Sequence, residues 1–337
     1  MRVLVVSNPL ATATTASQRD VLVHALASDA KLEIEETANR GHAAALACRA
    51  MRDGVDVVVA LGGDGTVNEV VNGLLTDGVH DRVPALGIVP AGSTNVFARA
   101  LGLPNDPVEA TSTLIGALAE DRRREIGLGQ ADERWFVFAA GLGYDAAVVG
   151  AVESQRRRGR RSTHSLYVRT AIRQFFGQDR RHPAITLTAP DGTEIDDLYM
   201  ALITNCDPWT FLGNRAVSPT PNASFETGLD VYGRTRMGTV GVLWSASRMA
   251  HRADDAGPRW RDRRTSRQST PEDAVTVPGR RPKAVKSKSF GARTEHDLTE
   301  FVLTASRPLP FQVDGDALGE RASVRFRGVP RALRVCI

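Results

Sequence analysis

Apolar and polar residues alternate along the first third of this chain in a way that predicts strands and helices in turn. Val3–Val6, Leu32–Ile34, Val55–Leu61 and Ala85–Val89 are short, largely β-branched or aliphatic runs that read as buried strands. Between them apolar positions return at helical spacing, in Gln18–Leu26, in Gly41–Met51 (Ala44, Leu46, Ala47, Met51) and in Val67–Leu75 (Val67, Val70, Val71, Leu74, Leu75). A short helix over Val96–Leu101 ends at Gly102-Leu-Pro104, and a longer one over Pro107–Leu118 opens on Asp106 and Pro107. Strands alternating with helices predict an α/β unit whose parallel sheet is covered on both faces.

After about Arg124 the texture changes. Short alternating segments (Trp135–Ala139, Ile185–Thr188, Tyr199–Thr204, Leu229–Tyr232, Phe301–Leu303, Ser323–Phe326) predict antiparallel strands. Helices over Ala146–Glu153 and Leu166–Phe176 interrupt them, with a third candidate over Thr239–Met249. The reading is two domains: an α/β unit over residues 1–124, and a β-rich unit of antiparallel, sandwich type over 125–327. The last apolar run, Ala332–Ile337, is placed to return to the first unit, so residues 328–337 are assigned to it. The stretch Asp254–Thr294 is poor in large apolar residues and rich in charge, Pro, Ser and Gly, and is predicted to be a disordered insert.

Charge sharpens that picture. The net charge is +4, but Arg252–Arg293 alone holds twelve Lys/Arg against five Asp/Glu, which leaves the remainder at −3. The basic character belongs to one segment, not to the fold. The longest apolar runs are under ten residues, too short to span a bilayer. The N-terminus reads as a strand rather than a signal peptide. Cys48, Cys206 and Cys336 are odd in number and lack metal-ligand spacing, so they read as small apolar residues in a reducing cytoplasm.

Candidate chemistry gathers at three places. The first is Leu61-Gly62-Gly63-Asp64-Gly65-Thr66-Val-Asn68-Glu69, at the end of a predicted strand and the start of a helix. In an open α/β sheet ligands bind outside the carboxyl ends of the strands. Glycines there let backbone N–H groups approach phosphate oxygens, and a helix N-terminus favours negative charge. A carboxylate among those donors suggests a Mg²⁺ or proton to carry, hence phosphoryl chemistry. Spacing alone equally permits a plain strand-to-helix turn. No Walker-type P-loop is present, and Asn68 stands where a Rossmann fingerprint has its third glycine. The second place, Pro90-Ala-Gly92-Ser93-Thr94-Asn95, repeats the same logic one strand later. The third, Phe311-Gln-Val-Asp314-Gly-Asp316, is by itself a hairpin turn signal as much as an acidic site.

Together these three places resemble the diacylglycerol kinase-like lipid kinases, a family that includes soluble bacterial enzymes and the sphingosine kinases. Gly62-Gly-Asp64-Gly-Thr66-Val-Asn68-Glu69-Val-Val-Asn72-Gly73 matches its nucleotide signature, and Pro90-Ala-Gly-Ser93-Thr-Asn95-Val-Phe97-Ala-Arg99 its second loop. Ser7-Asn8-Pro9 matches its first-strand motif, and Thr37, ahead of Gly41-His-Ala, stands where the family has a nucleotide-contacting threonine. Asp314-Gly-Asp316 resembles its Asp-Gly-Glu, whose final carboxylate is held to be the general base. Three departures stand out. Val96 and Gly127 replace common aspartates, and Glu226-Thr-Gly228 replaces the Asp-Asp-Gly of a structural Mg²⁺ loop.

The resemblance implies transfer of the γ-phosphoryl of ATP to a lipid hydroxyl, most directly that of diacylglycerol. ATP would meet Asn8, Thr37, Gly62, Gly63, Asp64, Gly65, Thr66, Asn68, Glu69, Gly92, Ser93 and Asn95. Mg²⁺ would sit at Asp64, directly or through water, and Asp316 would be the base, with Asp64 as the other catalytic carboxylate. A lipid acceptor would be met at a membrane, so a cytoplasmic protein that meets an anionic surface peripherally is expected; Arg156–Arg161 and the basic insert with Trp260 are candidate contacts, the insert reading slightly better as a solvated linker. Nucleic acid is not expected as a partner, and a homodimer is left open. Two rivals stand beside this reading. NAD kinases share Gly-Gly-Asp-Gly-Thr, and a nucleotide- or lipid-sensing protein without turnover fits the missing carboxylates.

Overall fold

The computed structural model describes residues 1–9, 11, 31–157, 164–177, 179, 182–239 and 291–337. The expected helix at Gln18–Leu26, that at Thr239–Met249 apart from its first residue, the basic stretch from residue 158 on, and the expected insert up to residue 290 lie outside the described residues.

The alternating first third folds as its pattern dictates. Strands β1 (Arg2–Ser7), β2 (Lys31–Glu36), β3 (Val57–Gly62) and β4 (Ala85–Pro90) pair in parallel, in the order β2-β1-β3-β4. Every residue of β3 and β4 is buried, as a strand covered on both faces must be. Side chains alternate across the sheet. Val57, Val59, Leu61 and Val89 join Leu114 and Ala117 of α4 (Pro107–Ala119). Val58, Ala60, Leu86 and Ile88 join Leu46 and Ala47 of α1 (His42–Arg52) and Val67, Val70 and Val71 of α2 (Asp64–Leu74). The short α3 spans Val96–Ala100. Asp106 caps α4 as its sequence announces, its Oδ1 accepting from Val108 N at 2.9 Å and Glu109 N at 3.1 Å.

The rest of the chain is antiparallel but not detached. The 21-residue β16 (Asp316–Cys336) pairs with β15 (Glu300–Val313) through its first half, with β5 (Arg123–Ala131) through its second, and in parallel with β4 at Val335↔Leu86. The final apolar run therefore does return to the first sheet. Beyond β15 the sheet continues through β7 (Ala139–Gly143), β10 (Met200–Thr204), β13 (Leu229–Arg234) and β14 (Ala292–Leu298), all antiparallel. Off this path β8 (Ile185–Thr188) pairs with β15 and β9 (Glu194–Leu198), and β11 (Thr210–Leu212) pairs with β12 (Arg215–Val217). Helices α5 (Tyr144–Arg157) and α6 (His164–Gly177) follow β7. The core of this half is built on Phe136, Phe301, Phe311 and Phe326, with Phe301 and Phe326 stacked at 5.1 Å.

Two expectations are corrected. Trp135–Ala139 is not one strand: β6 (Arg134–Phe136) ends, and β7 begins at Ala139. The N–H groups of Val137, Phe138 and Ala139 turn instead to the Asp314 carboxylate, which interrupts the ladder. The insert does not reach Thr294 either, because Ala292–Leu298 is an edge strand paired with β13. Its exposed, charged residues hid it, since an edge strand needs pairing more than apolar faces.

Candidate active site

The two glycine loops lie side by side because β3 and β4 are neighbours: Gly62 pairs with Pro90, and Ala91 N donates to Gly62 O at 2.8 Å. Beyond them the loops touch glycine to glycine. A Cβ on Gly92 would lie 2.7 Å from Gly63 Cα, and one on Gly63 3.1 Å from Gly92 Cα. Gly63 is also the N-cap of α2 and offers no capping side chain to the first N–H groups of that helix. Gly65, in this first turn, borders open space, and Ser93 is exposed at the tip of the neighbouring loop. These are the features of an anion cradle. Gly92→Ala is expected to force the loops apart and weaken ATP binding by about tenfold or more, since overpacking of this kind costs about 1–3 kcal/mol. Titration calorimetry against ATP checks it.

Asp64 has a different task from the one its motif suggests. Its Oδ2 accepts from Val96 N at 3.0 Å and its Oδ1 from Phe97 N at 3.2 Å, so it caps α3 and locks the second loop to the first. Burial pushes its pKa up against those two donors and Arg99. Both oxygens thus position the second loop, each through one backbone N–H. Among the described residues, no cluster of three or more His, Cys, Asp or Glu is arranged to hold a metal ion.

Other motif residues also turn out to build the site. Asn95, buried and in the left-handed region at φ 51°, accepts from Gly92 N at 2.9 Å and donates to Gly92 O and to Asn105 Oδ1. Asn8 Nδ2 donates to Thr66 Oγ1 at 3.1 Å, and Thr66 packs on Gly62. Thr37 N donates to Ser7 O, bringing the loop after β2 to the end of β1, and Glu69 Oε1 accepts from Gly41 N at 2.9 Å. Asn68 is 1% exposed, and its amide donates to Trp135 O at 3.0 Å and Asp314 Oδ2 at 2.7 Å while its Oδ1 accepts from Arg134. It ties α2 to the second half of the chain.

Asp314-Gly315 form the two-residue turn between β15 and β16, with φ 47° and 81° as such a hairpin requires. The hairpin reading and the acidic-site reading are both right, for different residues. Asp314 is buried and gathers Val137 N, Phe138 N, Ala139 N and the Asn68 amide, while burial pushes its pKa up to about 6. Asp316 instead stands at the rim, one quarter exposed, with Arg40 Nη2 at 3.1 Å and Arg134 Nη2 at 3.9 Å from its Oδ2. Burial raises its pKa, opposed by those two arginines. Arg40, Arg134 and Glu153 were not singled out by sequence reasoning, and Asp314 only as the start of the Asp-Gly-Asp motif. Arg40 directly precedes Gly41-His42, the one signal that marks it.

Beneath the turn, Gln312 Nε2 donates to Asp145 Oδ2 at 2.7 Å and Gln312 Oε1 accepts from Gly315 N at 2.9 Å. Burial lifts the Asp145 carboxyl to about 6. Its folded pKa thus exceeds its unfolded value near 4, so the folded state binds more protons between them and stability falls as pH rises across about 4 to 6. Asp145→Asn is expected to remove that part of the slope, on the order of 2 kcal/mol. Urea unfolding at pH 4.5 and pH 7 measures it. Gly127, where the resembling family has an aspartate, donates to Phe225 O at 2.8 Å, and a Cβ there would meet that oxygen at 2.8 Å. The Phe225 backbone fills the space a side chain would need.

Residues 2–131 match the family model of the diacylglycerol kinase catalytic domain. A diacylglycerol kinase of Bacillus subtilis is 46% identical over 89 residues, 26% of this chain and 27% of its own. The "Probable lipid kinase YegS-like" of Chromohalobacter salexigens is 37% identical over 127 residues, 38% of this chain and 39% of its own. A diacylglycerol kinase of Staphylococcus haemolyticus is 37% identical over 123 residues, 36% and 35%. The chain therefore spans about a quarter to two-fifths of the length of the curated relatives it matches. A crystal structure of a Bacillus anthracis diacylglycerol kinase superposes with a TM-score of 0.67 at 17% identity, covering 99% of this chain and 96% of that one. Two further Bacillus anthracis chains give 0.70 and 0.69 over the same coverage. At that identity the likeness establishes the fold, an α/β sheet region followed by antiparallel strands.

Proposed function

We propose, for a chain whose residues 2–131 match the family model of the diacylglycerol kinase catalytic domain, that it is an ATP-dependent lipid kinase with diacylglycerol as its acceptor. The observation that carries this reading is the arrangement of the rim. An acidic residue of the C-terminal hairpin, Asp316, is joined through Arg40 to the loop beside the open N-terminus of α2.

In this reading the γ-phosphate of ATP lies against the N–H groups of α2 and of the Gly92–Asn95 loop, and Gly65 and Ser93 leave it room. The donor set fits ATP. Mg²⁺ would be held by the nucleotide phosphates and by Asp64, directly or through water. When bound, that ion neutralises charge on the transferring phosphoryl group. Asp316 accepts the acceptor's hydroxyl proton as its oxygen bonds phosphorus; the bond to the bridging oxygen breaks, and ADP leaves with that electron pair. Asp64 also holds the two loops in register.

A lipid acceptor must be met at a membrane. Among the described residues no helix is long and apolar enough to cross one. We therefore propose a cytoplasmic protein that meets an anionic surface peripherally, with the basic stretch from Arg156 and the insert as contacts. The acceptor is identified by supplying γ-labelled ATP with diacylglycerol, a sphingoid base or NAD in parallel. Label on diacylglycerol supports the proposal. Label on the sphingoid base alone replaces the acceptor but keeps a lipid kinase, and label on NAD alone overturns it.

A further inference from the structure

The Asp316 carboxylate is surrounded by charged side chains from four elements: Arg40 after β2, Glu69 on α2, Arg134 on β6 and Glu153 on α5. Arg40 holds the centre of this group. Its Nη1 reaches Glu153 Oε1 at 3.0 Å and its Nη2 reaches Asp316 Oδ2 at 3.1 Å, so one guanidinium fork joins two carboxylates. The second oxygen of Glu153 accepts from Ala317 N at 3.3 Å. Glu153 thereby steadies the backbone next to Asp316 while Arg40 steadies its side chain. On the other side, Gly41 N, one residue beyond Arg40, is held by Glu69 of the glycine-loop helix. The fork is therefore tied to both halves of the site. Arg134, the other nearby cation, stands farther off and is engaged with Asn68.

We propose that Arg40, braced by Glu153, is a positioning residue for the transfer assigned above: its guanidinium fork fixes the Asp316 carboxylate where it takes the hydroxyl proton. The inference rests on that reading of function. A lysine would keep the charge but lose the two-pronged geometry that reaches both carboxylates at once. The electrostatics point the same way, because Arg40 is the largest influence opposing the burial that lifts Asp316, whereas Glu153 and Glu69 raise it further.

The test compares Arg40→Gln, Arg40→Lys and the parent protein in two readouts. One is the pH dependence of kcat/KM; the other is the titration of the Asp316 carboxyl by ¹³C NMR, assigned by its loss in Asp316→Asn. Arg40 is half exposed, and circular dichroism confirms that the variants fold. A base must be deprotonated to work, so losing the cation moves the acid limb of the profile to higher pH. The expected shift in Arg40→Gln is about one pH unit in both readouts, with most of it restored in Arg40→Lys. A rate lowered equally at all pH values, with an unchanged NMR midpoint, overturns the proposal. An NMR midpoint that moves in a protein whose parent transfers no phosphate to any lipid supports the pairing and overturns the function proposed above instead.

Discussion

Asp316→Asn is expected to lower phosphoryl transfer by about two to four orders of magnitude, the usual contribution of a positioned general base. The side chain sits at a rim and bonds no backbone group of the core, so the loss should not come from unfolding. Asn keeps the shape but cannot accept a proton at neutral pH, and it leaves Arg40 and Arg134 facing a neutral amide. The parent group is already lifted by burial, which brings a carboxylate closer to the pH at which it works. Affinity for ATP should stay within about threefold, because the nucleotide loops do not touch this side chain. Calorimetry with ATP and rate measurements on the same preparation separate the two effects. A variant with near-parental rate removes Asp316 from the mechanism.

Two residues earlier the expected effect is on the fold. Asp314→Ala should destabilise the protein by about 3–5 kcal/mol, since each buried donor left without an acceptor costs about 1–3 kcal/mol. Four donors are involved: Val137 N, Phe138 N, Ala139 N and the Asn68 amide. Alanine would also have to adopt φ near 47°, which its Cβ resists and an Asp or Asn tolerates better. Asp314→Asn should lose less, because one side-chain oxygen remains for two of the four donors and the turn keeps a residue suited to it. Chemical denaturation of the two variants measures the difference, and equal stability of parent and alanine variant would show that this carboxylate does not hold the junction. These two aspartates flank one glycine, yet one is expected to act on rate and the other on stability.

Much of this was legible in the sequence. Buried parallel strands announce themselves as β-branched runs, and β1, β3 and β4 came within two residues of their expected bounds. Asp106 with Pro107 marked a helix start that the structure reproduces. What could not be read was long-range. Asn68 and Asp64 sit in a motif that looks like phosphate chemistry, but whether a side chain faces a ligand or a neighbouring backbone depends on chain far away. Their partners lie at Trp135 and Asp314 for one, and at Val96 and Phe97 for the other. Arg40 and Glu153 were invisible for the same reason: each is an ordinary charge on a polar stretch until the fold brings it to Asp316. The break at Val137–Phe138 was hidden because its cause is a side chain about 175 residues downstream.

The most direct test of the account is to incubate the protein with Mg²⁺, γ-labelled ATP and diacylglycerol in mixed micelles, beside Asp316→Asn, and count label in the organic phase. The account predicts labelled lipid with the parent protein and almost none with the variant. Label absent from the lipid in both, while ATP still binds, would contradict it and leave a protein that holds nucleotide without passing its phosphate to a lipid.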